Sequence, residues 1–229
     1  MTKNIAIIPA RIGSKRVPKK NIKKFFGRPI FLYSVDCAIN SGLFDEVHVS
    51  TESDEVVELC EEAGIPPKFM RPKALAHDDA SLDSVCEHTL NEYIKKDIKF
   101  DNFCLIWATS PMTLPSDIIN SYKILADADA IVGTSEYELP FFSGHELLAN
   151  NFMKPYFPHL LHSNMKRPTV VCTNSSFCWT KVEEFLNQKT WLPKKTKSYK
   201  MPIMRSCDIN THDDWERAEY LYKKFKNTF

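Results

Sequence analysis

No stretch of the chain approaches the roughly 20 consecutive apolar residues needed to cross a bilayer as a helix. The first apolar run, Ile5 to Ala10, is too short for a secretion-signal core and has no cleavage-like flank. Both absences point to a cytoplasmic protein without a membrane partner. C-x-x-C pairs are also missing: the seven cysteines (37, 60, 86, 104, 172, 178 and 207) are odd in number and scattered. Neither a disulfide framework nor a zinc knuckle is suggested, and most of them read as small buried apolar residues. Charge of one sign is not in excess, because 30 Lys and Arg face 29 Asp and Glu for a net +1. That balance argues against a general nucleic-acid coat or a membrane-surface protein. The phosphate motifs G-x-x-x-x-G-K-[ST] and G-x-G-x-x-G are absent, which removes the main support for kinase-like and dinucleotide-binding readings. There is no G-x-S-x-G. His145-Glu146 opens like H-E-x-x-H, but position 149 is Ala, so that zinc site cannot form.

What the chain does contain is an ordinary globular balance, with 43% apolar and 26% charged residues over 229 positions. That excludes disorder and suits a single domain, 1–229, with a full core. Asn4 to Ala10 reads as a buried strand, and Ile30 to Ser41, with Gly42 behind it, as a helix. Glu46 to Ser50 follows as a strand, then a helix that Ser53 can cap and that ends near Ala63, with Gly64 as a left-handed stop. A helix near 81–93, a strand at 103–107, a helix after Pro115-Ser116 and a strand at 130–135 continue the alternation. Val170 to Trp179 reads as strand and Asp213 to Phe225 as the last helix. The fold expected is α/β, a mostly parallel sheet with helices on both faces. Residues 136–170, rich in aromatics and proline turns, break the rhythm and read as an insertion.

Charge is balanced overall but not locally. Residues 11–24 hold Arg11, Lys15, Arg16, Lys19, Lys20, Lys23 and Lys24 with no acid, leaving 23 basic against 29 acidic side chains elsewhere. A run of this kind is commonly a solvated turn. Here, though, it links the first strand to the first helix, where parallel sheets bind phosphates. Gly13 offers close backbone approach, Ser14 a donor, and the cations suit a triphosphate. Asp127-Ala-Asp129 superficially matches a D-x-D metal motif but lies at the entrance to a strand, so it reads as a solvated turn. His159 and His162 have no third ligand and carry no metal reading.

Ordered motifs run through some 200 residues. They are Ile8-Pro-Ala-Arg-x-Gly-Ser-Lys-x-x-Pro-x-Lys-Asn21, Gly27-Arg-Pro-Ile30, Val49-Ser-Thr51, Arg71-Pro-x-x-Leu-Ala76 with Asp78 and Ala80-Ser81, Ala108-Thr-Ser-Pro111, and Asp208-Ile-Asn-Thr211. The sequence resembles the cytidylyltransferases that activate acidic sugars, in particular the CMP-sialic acid synthetase group. The resemblance implies the reaction of CTP with an acidic sugar to give CMP-sugar and pyrophosphate, a Mg²⁺ cofactor and a homodimer built on the insertion, which also walls the sugar site. It implies nucleotide contacts from Ala10, Arg11, Gly13, Ser14, Lys15, Lys20, Asn21, Arg71, Asp78 and Ser81. Arg11 and Lys20 would hold the triphosphate, and Asp208, at the end of a late strand, would hold the metal with Asn210. Ser81 can equally be a helix cap, Arg71 a surface ion-pair partner, and Thr211 the N-cap of the last helix, with Asp213 and Asp214 in its first turn.

Three positions depart from that group's pattern. Asn210 replaces its second aspartate, so that position brings neither charge nor a base. Trp107 stands where the sialic acid enzymes carry a sugar-facing Gln, and it resembles the pseudaminic branch, as do Leu139-Pro-Phe-Phe142 and Phe177-Cys-Trp179. No clear match exists for the arginine on the sugar carboxylate; Lys166 and Arg167 are nearest. An octulosonate cytidylyltransferase and a non-catalytic CTP-binding protein are the alternatives.

Overall fold

The computed structural model describes residues 2–137, 139–160 and 167–226. Six strands, β1 (Asn4–Pro9), β2 (Glu46–Ser50), β3 (Asn102–Ile106), β4 (Ala130–Glu136), β5 (Val171–Lys181) and β6 (Thr196–Lys200), form one sheet in the order β6-β4-β5-β3-β1-β2. Between them lie the helices α1 (Phe31–Ser41), α2 (Asp54–Glu62), α3 (Leu82–Lys95), α4 (Pro115–Lys123) and α5 (Val182–Gln188), and α6 (His212–Phe225) follows β6.

β1 is an unbroken apolar run because both of its faces are covered. Ala6 and Ile8 pack with Val35 and Ala38 of α1, Val56 of α2 and Ile118 of α4. Ile5 and Ile7 pack on the other face with Cys86, Leu90 and Tyr93 of α3 and Phe185 of α5. Helices therefore lie on both faces of the sheet. Gly42 ends α1 with φ +65°, its N–H bonded to the Ile39 carbonyl at 3.1 Å, and Gly64 follows α2 with φ +75°. Ser53 occupies the N-cap of α2, but its side chain makes no capping bond.

β1 runs parallel to β2 and β3, and β4 to β6, whereas β5 is antiparallel to both of its neighbours. The strand near 170–179 is legible in the sequence, but its direction is not. The chain leaves β4 at Glu136 and re-enters opposite it at Val171. Without a crossover helix among the described residues between them, the return strand must run the other way. β6 is not marked in the sequence because Thr-Lys-Ser-Tyr-Lys has no apolar run; it is an edge strand whose lysines guard it.

The described residues between 139 and 160 stand outside the six-stranded sheet and include a hairpin of His145–Leu147 with Met153–Pro155. His162 and Lys166 lie outside the described residues. No described helix is long and apolar enough to cross a membrane. A third core cluster, Val17, Phe25, Ile30, Ile209, Trp215 and Ala218, clamps the basic loop between α1 and α6.

Candidate active site

The carboxyl ends of β1 and β3 open into a cavity of about 440 Å³. Arg11, Ser14, Lys15, Arg16, Lys20 and Asn21 form one wall. Arg71, His77, Asp78 and Ala80 form a second, Trp107 to Thr109 a third, and Asn210 closes it. Arg16 lies in the basic tract and Thr109 in the Ala108-Thr-Ser-Pro111 motif, neither with a role of its own in the sequence, and His77 belongs to no motif.

The basic loop is folded by its own side chains. Asn21 donates through Nδ2 to the Arg11 carbonyl at 2.9 Å, and Val17 is fully buried in the α6 cluster. Lys20 donates to the Ile209 carbonyl, which ties the loop to the segment before α6. Burial pushes the Lys20 ammonium below its ordinary range, and the Asp208 carboxylate opposes that shift. Arg11 donates through Nη1 to Asp78 Oδ1 at 2.8 Å and to the Ala76 carbonyl at 3.3 Å. Lys15 meets the other Asp78 oxygen at 2.6 Å. Hydrogen bonds from Lys15 and then Arg11 bring the Asp78 carboxyl down to about 2. Four cations of the loop, with Arg71 opposite them, thus surround one concave site, and two of the loop cations share a single carboxylate. Such a cluster concentrates positive potential where an anion can be held.

The comparisons with known proteins decide the family. A family model described as "Cytidylyltransferase" matches residues 5–175. The chain belongs to the cytidylyltransferase family. The pseudaminic acid cytidylyltransferase of Campylobacter jejuni (serotype O:2) is 31% identical, with 96% of this chain and 97% of that protein covered. The CMP-N,N'-diacetyllegionaminic acid synthase of Legionella pneumophila is 27% identical over 95% of each. Among solved structures, CMP:2-keto-3-deoxy-manno-octonic acid synthetase complexed with CTP superposes with a TM-score of 0.69 at 15% identity, covering 97% of this chain and 99% of that one. A 4-diphosphocytidyl-2C-methyl-D-erythritol synthase from Anaerococcus prevotii superposes at 0.67 and 11% identity, with the same coverage. These two likenesses concern the fold.

For this cytidylyltransferase the structure shows which candidate residues meet. Arg11, Ser14, Lys15, Lys20, Asn21, Arg71, Asp78, Trp107 and Asn210 line the cavity, whereas Ala10, Gly13, Ser81, Arg167 and Asp208 do not. Ala10 is fully buried, its N–H bonded to the Ser50 carbonyl at 2.9 Å. Gly13 has no positive φ and no described atom within 4 Å of where a Cβ would sit, so the protein's own packing does not demand glycine there. Ser81 is the N-cap of α3, accepting the Ser84 N–H at 3.1 Å. Arg71 is no surface residue; it is 4% exposed and paired with Glu52. Arg167 donates to the Leu160 carbonyl at 2.8 Å. Trp107 is held at both ends of its peptide, its N–H on the Ser176 carbonyl at 3.0 Å and its carbonyl accepting from Ser34 Oγ at 2.8 Å.

Asp208 requires a correction. It is not at the end of a strand: β6 stops at Lys200, and Asp208 lies in the extended segment between the turn at Ile203–Arg205 and α6. Alternation along that segment explains its direction. Ile209 is buried in the core, so Asp208 and Asn210 project to the same side, and Asn210 Nδ2 donates to Asp208 Oδ2 at 2.6 Å. Asn210 Oδ1 accepts from Arg16 at 3.0 Å. Asp208 itself borders a neighbouring cavity of about 230 Å³, together with Asn174 and Ser206. Thr211 caps α6 in a reciprocal box with Asp214, which accounts for that carboxylate. Among the described residues no three His, Cys, Asp or Glu side chains gather into a metal cage. One exposed carboxylate beside an amide fits Mg²⁺ in the way that ion often binds, through one or two carboxylates and substrate phosphates with several waters retained.

Proposed function

We propose that the enzyme transfers CMP from CTP to the anomeric hydroxyl of a nine-carbon acidic sugar. The observation that carries this reading is the convergence of Arg11, Lys15, Arg16 and Lys20 on one cavity at the carboxyl ends of β1 and β3. The sugar oxygen attacks the α-phosphorus, a new oxygen–phosphorus bond forms, the bond to the β-phosphate oxygen breaks, and pyrophosphate leaves. The hydroxyl proton is released to solvent. Such transfer depends on positioning and charge neutralisation. Arg11 and Lys20 hold the triphosphate, with Ser14, Lys15 and Asn21 beside them, and Arg71 borders the nucleoside. Mg²⁺ held by Asp208 would neutralise charge on the phosphates. Asn210 orients Asp208 and Arg16 and brings no charge of its own.

Trp107 walls the acceptor side, and the named activities of the relatives, on pseudaminic and legionaminic acids, favour a nonulosonate over an octulosonate. The chain works as one domain with 136–170 as an insertion, and a second copy covers the apolar side chains exposed there. The sugar assignment is tested by pyrophosphate release from CTP with pseudaminic, legionaminic, N-acetylneuraminic and octulosonic acids. A nonulosonate should give the highest kcat/KM; preference for the octulosonate overturns the sugar reading.

A further inference from the structure

Glu52 lies in the turn after β2, its side chain is 10% exposed, and its two oxygens reach the basic loop and Arg71 respectively. Oε1 accepts the Ile12 N–H at 3.0 Å, at the root of the basic loop. Oε2 accepts from Arg71 Nη2 at 3.2 Å, and the Arg71 side chain is 3% exposed. The Arg71 N–H is bonded to the Thr51 carbonyl at 2.7 Å, and its Nε has no hydrogen-bond partner among the described residues. A guanidinium this deep needs a compensating anion, because an unpaired buried charge is strongly destabilising. Burial draws the Arg71 pKa down and Glu52 opposes that shift.

The last main-chain bond from the β1 end to β2 is Ala10 N–H to the Ser50 carbonyl, at 2.9 Å. Glu52 extends that connection beyond the strand, and with the same carboxylate it fixes the side chain on the opposite wall. We propose that Glu52 is a positioning residue for the nucleotide, setting the spacing between the cation loop and Arg71 so that the two ends of CTP are engaged together. This rests on the reading of the cavity as a CTP site.

Glu52→Gln preserves shape and an acceptor for Ile12 but removes the charge facing Arg71; Glu52→Ala removes both contacts. CTP titration by calorimetry and steady-state kinetics are run at a temperature where circular dichroism shows each variant folded. Kd and KM for CTP should rise about tenfold in Glu52→Gln and further in Glu52→Ala, while KM for the sugar changes less than about twofold. In an Arg71→Ala background, Glu52→Gln should add little, since coupled residues are non-additive. A mere structural role would instead lower the active fraction with KM for CTP unchanged. That result, or wild-type CTP binding by Glu52→Gln, overturns the proposal alone. Absence of CTP binding by the wild-type protein overturns the nucleotide reading and this proposal with it.

Discussion

At the scale of single residues, the cations of the basic loop do not wait free for an anion. Asp78 takes both Arg11 and Lys15, so a triphosphate that uses those cations competes with a carboxylate already there. Asp78→Asn should therefore lower KM for CTP by about two- to fivefold, the modest effect expected of exposed ion pairs. A raised KM would place Asp78 in direct contact with nucleotide instead. Lys20→Ala should act in the opposite sense. Loss of a charge-assisted phosphate contact costs about 1.5–3 kcal/mol, or roughly ten- to a hundredfold in kcat/KM, in a protein that still folds. Unchanged turnover would make the loop a solvated turn. The cations were legible in sequence because seven of them, without an acid, fall between a strand and a helix. The partners of Arg11 and Ile12 were not, since they come from 67 and 40 positions away. Only the folded chain brings them within reach.

Among elements, the turn before Asp208 is anchored by a buried ion pair. Arg205 forks onto Asp117, with Nη2 to Oδ1 at 3.0 Å, and Asp117 also accepts the Leu114 N–H at 2.9 Å and the Tyr199 hydroxyl at 3.3 Å. One carboxylate thereby joins α4, β6 and the segment that carries Asp208 and Asn210. Asp117→Asn leaves Arg205, only 15% exposed, without its countercharge. Unfolding stability should fall by about 3 kcal/mol, measured by urea denaturation. A loss under about 0.5 kcal/mol would show that the pair anchors nothing. The apolar run of β1 and the amphipathic helices α1 and α3 were legible from their periodicity. The direction of β5 and the position of Asp208 were not, because both follow from long-range return of the chain rather than from local pattern. β6 was hidden by its lysines.

For the whole molecule, the part outside the sheet exposes Leu139, Leu147, Phe152, Met153 and Tyr156, each more than 60% accessible. A monomer seldom leaves such side chains in water, and a second copy is the occupant proposed for them. The wild-type protein should sediment as a dimer, and Leu147→Glu with Phe152→Glu as a folded monomer with CTP affinity retained. A monomeric wild-type protein would contradict this. If one cavity at the carboxyl ends of β1 and β3 joins CMP to an acidic sugar, product formation must require both substrates. Pyrophosphate release and product mass are followed with CTP or ATP, with and without a nonulosonic acid, in the presence of Mg²⁺. Release is expected only when CTP and the sugar are both present, equal in amount to the CMP-sugar formed, with ATP a poor substitute. Release independent of the sugar, or a comparable rate with ATP, would contradict it.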